Sequence, residues 1–593
     1  MRWLARRRAA VACVLVALVF TGYSARLIHL QVGMHEEYSA IAASKHSIRN
    51  TIPARRGLIT DRNGEILAAN MPAQRVVADG SHIKDKAAQV AEVAAPYLGI
   101  PIAELTERLA QPNNKYNVIT PNLEEDKAIA LKKDLDKKGL RGLYFYPNSV
   151  RTYPNGAILS HVLGFMSRKN PSDEVLVGVD GIERSMELQL HGEDGFRHIE
   201  HDRAGRELVV YRGQEKAPRH GSNVELTIDM ALQSILEAEL ENAYRELKPD
   251  TAIGIIADPK TGEILAMSNR PTFDLNNLNA AKPDEMKNRA IMDMVEPGST
   301  FKIVVASGAL NEHTVTEKTE VYCEGGRFLY GGRILKDHHG YGNMTVEQIL
   351  IKSSNIGSAK MALMMGDDKY YEYVRRFGFG ERTGVALPGE IPGLVHPPAR
   401  WDKLTITRMA MGHSVAVTPL QIVMGMSVIA NGGKLMKPQI IHSIKDEDGQ
   451  EVYRFQPEVV RQVIPESTAR FVGKALTGVC DDGGTATLAR VNGFDVAGKT
   501  GTAQKVNPKG GYMEGKYVVS FVGFMPAQDP RFVCLIMIDN AKIASGLNYG
   551  GLVAAPIFSR VAEKTARYLD LVPTAPSMLP IALSEPSSRK VTQ

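Results

Sequence analysis

The sequence predicts an α+β protein: a central antiparallel sheet with helices on both faces, joined to a separate N-terminal module and one apolar N-terminal helix. Three observations predict it. Strand-like segments pair within 251–268 and again within 518–538, and helical segments lie between the two pairs. An uncharged run at 9–25 follows four arginines, Arg2, Arg6, Arg7 and Arg8. The length of 593 residues exceeds one domain and implies roughly two to four.

The elements follow in order. The run at 9–25 is short for a spanning helix, but the apolar pattern resumes after Arg26 as Leu27-Ile28-His29-Leu30. The small residues at 21–25 contain no clear Ala-x-Ala, so 9–30 reads as a retained anchor rather than a cleaved signal. The positive-inside rule places 1–8 in the cytoplasm and the remainder outside. Residues 31–222 form the first extracytoplasmic region, punctuated by turns such as Asp61-Arg62-Asn63-Gly64. The polar stretch 214–222 reads as a linker to the second region, 223–572. There, 224–229 alternates as a strand does. Residues 230–247 have helical spacing, with Leu232, Ile235, Leu236 and Leu240 on one side. Residues 251–257 and 263–268 flank the turn at 258–262 as a β-hairpin. The segments 518–525 and 531–538 are strand-like on either side of 526–530. The Pro- and Ser-rich tail 573–593 is expected to be disordered.

Composition excludes little. The chain is 44% hydrophobic and 23% charged with a net charge of +5, which is ordinary for a folded protein and gives no sign of a nucleic-acid partner. Cys13 lies in the anchor. Cys323, Cys480 and Cys534 are widely spaced and show no disulfide framework or zinc spacing. One bridge is open to them, but buried free thiols are the simpler reading. His338 and His339 read as a loop without a metal, and no cofactor is expected. Met409, Met411, Met424 and Met426 read as core packing.

Chemistry is carried by three short motifs: Ser299-Thr300-Phe301-Lys302, Ser353-Ser354-Asn355 and Lys499-Thr500-Gly501-Thr502. Ser299 is the candidate nucleophile. Lys302 is three residues on, so on a helix it shares the face of Ser299. A serine hydroxyl needs a nearby base, and a lysine serves if burial or a neighbouring cation lowers its pKa. Glu296-Pro297-Gly298-Ser299 is a turn into a buried helix, with Pro at or near its first position. Ser299 therefore sits where helix N-terminal N–H groups meet developing negative charge. Each tripeptide or tetrapeptide alone is commonplace, and an exposed helix face, a helix N-cap pair or a turn after a strand would explain it. Their order and separation are the signature of penicillin-binding proteins and related β-lactamases.

The flanking blocks Glu296 to Lys302, Lys352-Ser353-Ser354-Asn355-Ile356-Gly357 and Gly498-Lys499-Thr500-Gly501-Thr502-Ala503 resemble those of the class B penicillin-binding proteins, monofunctional peptidoglycan transpeptidases. Residues 56–64, 151–156 and 178–183 resemble motifs of that family's N-terminal module, the pedestal, so the resemblance covers most of the chain. It implies the penicillin-binding transpeptidase fold and a substrate ending in D-Ala-D-Ala. It also implies an acyl-enzyme on Ser299, with Lys302 as base. Ser353 would relay a proton to the leaving amine, and Asn355 would bond the substrate backbone and Lys302. Lys499 would supply positive charge that keeps Lys302 neutral and draws in the terminal carboxylate. Thr500 and Thr502 would bind that carboxylate, and Gly501 would let the strand approach the substrate. The oxyanion hole would be the N–H groups of Ser299 and Thr502. β-Lactams, the membrane, a membrane glycosyltransferase and division-complex proteins are the implied partners.

Within the class, Ser353-Ser354-Asn355 and Met411-Gly412-His413-Ser414 suit the septal, cell-division type, since elongation-type relatives more often carry Asp as the third residue of the second motif. The alternatives are an elongation-type transpeptidase, a β-lactam sensor or β-lactamase, and a catalytically silent division scaffold.

Overall fold

The computed structural model describes residues 2–38, 47–168, 176–201, 207–210, 215–507, 509–543, 546 and 548–574. Gln214 of the linker and all but the first two residues of the tail at 573–593 lie outside these. Two compact units are present: Met1–Arg56 with His191–Gly221, and Gly57–Leu190 with Ser222–Gln593. The break thus falls inside the segment that the sequence presents as one module at 31–222.

In the first unit, helix α1 (Arg2–Ile28) runs on through His29–Gly33. The span Trp3–Gly33 is long and apolar enough to cross a membrane. A helix satisfies its own backbone groups, which hydrocarbon requires, and Thr21 adds a bond from its Oγ1 to Ala17 O at 2.8 Å. The same unit holds an antiparallel sheet of Ser47–Ile52, Gly195–His201 and Glu207–Val210.

The second unit carries two large sheets. The seven-stranded one runs in the order Glu451–Arg454, Ile441–Lys445, Asn223–Leu226, Ile59–Thr60, Ile66–Ala78 and Asn117–Glu124, with Leu143–Thr152 also pairing with Ile66–Ala78. Strands from both sides of the linker therefore share hydrogen bonds. Beside this sheet, Arg151 Nε meets Glu183 Oε1 at 2.7 Å with both side chains buried, and Arg151 also donates to Gly57 O at 2.7 Å and Asn70 Oδ1 at 3.3 Å. Tyr153 OH donates to the same Glu183 oxygen at 3.2 Å. A buried charge stripped of its partner is costly. Glu183→Ala will therefore lower unfolding stability by roughly 3–5 kcal/mol, read as a fall in the urea midpoint; an unchanged midpoint would refute it.

The Asp61-to-Gly64 turn is tied to the second sheet's region. Asp61 accepts from Asn63 N and Glu65 N, both at 2.8 Å, and from Met230 N at 3.2 Å. Asp229 N-caps α2 (Met230–Leu247) through Ala231 N and Leu232 N. The chain then forms β1 (Thr251–Ala257) and β2 (Ile264–Arg270), the expected hairpin. Next come α3 (Lys302–Asn311), α4 (Val346–Lys352), α5 (Asn355–Met365), α6 (Pro419–Ala430) and α7 (Glu466–Thr477). β3 (Ala497–Val506), β4 (Tyr512–Met525), β5 (Phe532–Asp539) and α8 (Gly550–Tyr568) complete it.

These five strands make one antiparallel sheet in the order β2-β1-β5-β4-β3. Strand alternation gives it two covered faces. Phe521 stacks edge-on against Phe558 of α8 at 4.7 Å, while Phe524, three residues on, faces Gly473 of α7. α2 and α8 pack together on one face, and α6 and α7 on the other. Cys534 is a buried core residue of β5, and Cys323, Cys480 and Cys534 are all free. Met409, Met424 and Met426 are buried, as expected of core residues. β3 is left as an edge strand, with one side open for pairing.

Candidate active site

A cleft of about 1260 Å³ opens beside β3, and Ser299, Ser353, Asn355, Thr500 and Thr502 all line it. Ser299 is half-buried in a 3₁₀ turn, Gly298–Phe301, that runs directly into α3. In such a turn, residues three apart eclipse, so Ser299 and Lys302 align more closely than on the α-helix the sequence implies. Gly298 has φ +57°. Its N–H donates to Gly412 O at 3.2 Å, and a Cβ on Gly412 would lie 2.1 Å from Gly298 O. The two backbones touch, which only a glycine at 412 permits, while a Cβ on Gly298 would meet Thr502 O at 2.9 Å.

The second motif works by breaking a helix in two. Ser353 ends α4 with φ +56°. Ser354 N-caps α5 by accepting from Gly357 N at 2.9 Å, and its hydroxyl donates to Asp337 Oδ2 at 2.6 Å. Asp337 Oδ1 accepts from Asn355 N at 2.5 Å and Ile356 N at 3.1 Å. The middle serine thus takes the capping role, and the outer two residues turn to Lys302. Lys302 Nζ donates to Ser353 O at 2.5 Å, Ser353 Oγ at 3.1 Å and Asn355 Oδ1 at 2.8 Å. Asn355 Nδ2 is engaged by Lys336 O at 3.0 Å.

The third motif lies on β3 and alternates. Thr500, Thr502 and Gln504 line the cleft, while Lys499 and Gly501 face inward. Lys499 Nζ donates to Ser353 Oγ at 3.0 Å and Thr500 Oγ1 at 3.3 Å. One hydroxyl therefore joins both lysines. Gly501 packs tightly against its own surroundings. A Cβ there would lie 2.3 Å from Ser520 Oγ, 3.0 Å from Pro297 O and 3.1 Å from Thr300 Cγ2. Its missing side chain leaves room for Ser520 and the nucleophile turn, since the period-two alternation points residue 501 away from the cleft. Thr502 Oγ1 accepts from Gly550 N, the start of α8, at 3.2 Å.

Both lysines are fully buried. Burial, and next the Lys499 charge, hold Lys302 well below the ordinary lysine value, against the opposing pull of Asp337. Burial pushes Lys499 down to about 7. Among the described residues no cluster of His, Cys, Asp or Glu forms a metal site.

The family model for the penicillin binding protein transpeptidase domain matches residues 252–563, and that for the penicillin-binding protein dimerisation domain matches 51–226. The chain belongs to this family. It is 33% identical to stage V sporulation protein D of Bacillus subtilis over 96% of this chain and 86% of that one. It is 32% identical to the peptidoglycan D,D-transpeptidase FtsI of Escherichia coli K12 over 95% and 92%. The crystal structure of penicillin binding protein 3 from Mycobacterium tuberculosis complexed with aztreonam superposes with a TM-score of 0.68 at 28% identity, covering 89% of this chain and 99% of that one.

In this class B penicillin-binding protein several residues in or around the cleft had been given no part in the site by the sequence. Asp337 sits before a loop with no local pattern. His338 lines the cleft and stacks edge-on with Tyr549 at 6.1 Å. Thr485 Oγ1 lies 3.3 Å from Thr500 Oγ1. Glu296, inside the first motif block, accepts from Ser414 N at 3.0 Å and Tyr512 OH at 3.1 Å and sits 2.7 Å from His413 Nδ1.

Lys499 also sets a stability signature. Its pKa is about 7 folded against 10.5 ordinarily, so between these values the unfolded chain holds a proton that the folded protein lacks. Stability from this group rises with pH across that window, by up to about 1.4 kcal/mol per unit, and below about 7 its burial penalty is present in full. Lys499→Met will flatten the difference in urea midpoint between pH 7 and pH 9 relative to the parent protein; an equal slope in both would refute it.

Proposed function

We propose that this protein is a septal peptidoglycan D,D-transpeptidase, anchored by α1 with the arginine-rich terminus in the cytoplasm and the catalytic sheet outside. The observation that carries the catalytic reading is the Lys302–Ser353–Lys499 chain of hydrogen bonds set in the Ser299 cleft beside an open edge strand. A neutral Lys302 has two N–H groups. Ser353 O and Asn355 Oδ1 accept them, and the lone pair is left for a hydroxyl proton. Ser299 Oγ attacks the carbonyl of the penultimate D-alanine and Lys302 takes its proton. The oxyanion rests on the N–H groups of Ser299 and Thr502, each worth about 10²–10³ in rate. Gly298 supports this placement, since a Cβ there would lie 3.2 Å from Thr502 N.

The C–N bond breaks and the proton passes through Ser353 to the departing amine. Thr500 and Thr502 hold the terminal carboxylate, with Lys499 behind them. An amine from a second stem then attacks the ester, forming the crosslink and freeing Ser299. β-Lactams acylate the same serine. Because the chemistry here is acyl transfer alone, a membrane glycosyltransferase and division proteins are its partners.

Two measurements test this. Incubating the protein with a D-Ala-D-Ala stem peptide and an amine acceptor will release D-alanine and form the crosslinked dimer; rapid turnover of benzylpenicillin without crosslinking would indicate a β-lactamase instead. Depletion in the parent cell will give filaments, whereas rounded cells would indicate an elongation role and unchanged growth a role outside vegetative division.

A further inference from the structure

Crosslinking leaves a proton over. Resting on the catalytic reading above, the acyl-enzyme is attacked by an amine. An amine of the lysine type ionises near about 10.4 and so arrives as an ammonium ion at neutral pH. Its nitrogen must shed two protons to become an amide N–H. Lys302 carries one of them to the departing Ser299 oxygen, which takes only one. The other needs a second base.

The cleft holds few groups that could serve. Among the described residues no Asp or Glu side chain lines it. Lys499 is fully buried and bound to Ser353 and Thr500. Three histidines do line it: His338, His339 and His413. His413 is engaged by Glu296 at 2.7 Å, and His339 sets its ring edge-on against Tyr341 at 6.1 Å. His338 is exposed in the cleft, and among the described residues its ring makes no hydrogen bond.

The place of His338 is fixed from both walls. Lys336 O accepts from Asn355 Nδ2 at 3.0 Å, and Asp337 caps α5 at Asn355 N and Ile356 N, so the two residues before it are fastened to the second motif. Its ring meets Tyr549 edge-on at 6.1 Å, and the residue after Tyr549, Gly550, donates to Thr502 Oγ1 of the third motif at 3.2 Å. His338 therefore stands between the two motifs with one side open to water. The groups that face it are Asp337 and His339 on its own loop, Lys302 at the head of α3, Lys499 on β3 and Tyr549 before α8. Loss of water to the cleft walls, and next the Lys302 charge, hold its ring below the ordinary 6.5, against the pull of Asp337. At neutral pH it is the free base.

We infer that His338 is the base that receives the first proton of the acceptor ammonium. The ammonium gives that proton to a ring nitrogen of His338, and the freed lone pair forms the N–C bond at the ester carbonyl. The second proton passes through Lys302 to Ser299 Oγ as the C–O bond breaks. The imidazolium, exposed as it is, returns its proton to water.

The test offers two amines to one acyl-enzyme. The full protein is acylated by an N-acyl-D-alanine thioester: the Oγ–C bond forms, the C–S bond breaks and the thiol leaves with the hydroxyl proton. One acceptor is N-acetyl-lysine amide, an ammonium. The other is methoxyamine, a free base at neutral pH, which sheds only the proton that Ser299 takes. The ratio of the two amide products, lysine over methoxyamine, is read by mass spectrometry between about pH 7 and pH 9. The ionisation of Lys302 acts on both products and cancels. In the parent protein the ratio will stay nearly flat. In His338→Ala it will be roughly a hundredfold lower at pH 7 and will climb about tenfold per pH unit, as the free lysine amine does. His338→Gln, which keeps a polar side chain but cannot take the proton, will behave as the alanine variant does. A purely structural loss lowers both products and leaves the ratio in place, so an unchanged ratio in both variants overturns the inference. A parent ratio that itself climbs about tenfold per unit overturns it whatever the variants do. So does a parent acyl-enzyme that forms no lysine product. Acylation by neither the thioester nor benzylpenicillin would instead remove the catalytic reading, and this role with it.

Discussion

Ser299→Ala will form no covalent adduct with benzylpenicillin, and its acylation rate by a D-Ala-D-Ala substrate will fall at least about 10⁴-fold. The reason is stoichiometric: the acyl-enzyme is an ester of this hydroxyl, and no neighbouring group can replace it. Ser353 is close, but its hydroxyl is held between two lysines, 3.1 Å and 3.0 Å away, and its carbonyl is held by one of them at 2.5 Å. Intact-mass spectrometry reads the result directly. The fold will be untouched, because Ser299 is half-buried and such a change shifts the melting temperature by no more than about 2 °C. A persistent adduct on a well-folded variant would reassign the nucleophile.

Replacing Lys302 carries the second large effect. Lys302→Met keeps the volume and removes the base, and acylation will fall roughly 10²–10⁴-fold. Lys302→Arg separates two roles. Arginine keeps a positive charge but is never deprotonated in proteins, so it will be as poor as methionine if the lone pair is what matters. Retained activity in the arginine variant would make Lys302 an electrostatic anchor instead. The pH profile adds an independent check. Burial and then the Lys499 charge hold Lys302 well below its ordinary 10.5, so its base form persists far below that pH. The acid limb of acylation in the parent protein will therefore lie well below 10.5. Lys499→Met removes the charge that favours neutral Lys302 and moves that limb to higher pH; a limb already near the ordinary lysine value would refute the assignment.

The parts of the site that were legible are those set by short-range geometry. Ser299 and Lys302 are three residues apart, and any helical turn aligns them. Lys499 to Thr502 sit on one strand, and alternation alone separates the cleft-lining threonines from the inward lysine and glycine. The hairpin at 251–268 and the apolar N-terminal helix follow from local pattern in the same way. What was missed is long-range. Tyr512 reaches Glu296 across 216 positions of sequence, and Asp337 caps the helix that begins at Asn355 from a loop 18 residues earlier. No periodicity marks either residue. Gly501 reads in the sequence as a point of approach for substrate; that Pro297 and Thr300 of the nucleophile turn also lie against it is something the sequence does not say.

The sequence by itself determined the inventory of reacting groups, their local alignment, the apolar N-terminal helix and the family. The tertiary structure alone decided which of those groups meet at one cleft and which are buried beside it, and hence which protonation states they hold. Spacing within a turn or strand is a property of backbone geometry, which the chain carries wherever it goes. Burial and Coulomb neighbours are properties of contacts between distant segments: the lowered pKa values of Lys302 and Lys499 and the packing of Gly501 on the nucleophile turn exist only once those segments meet.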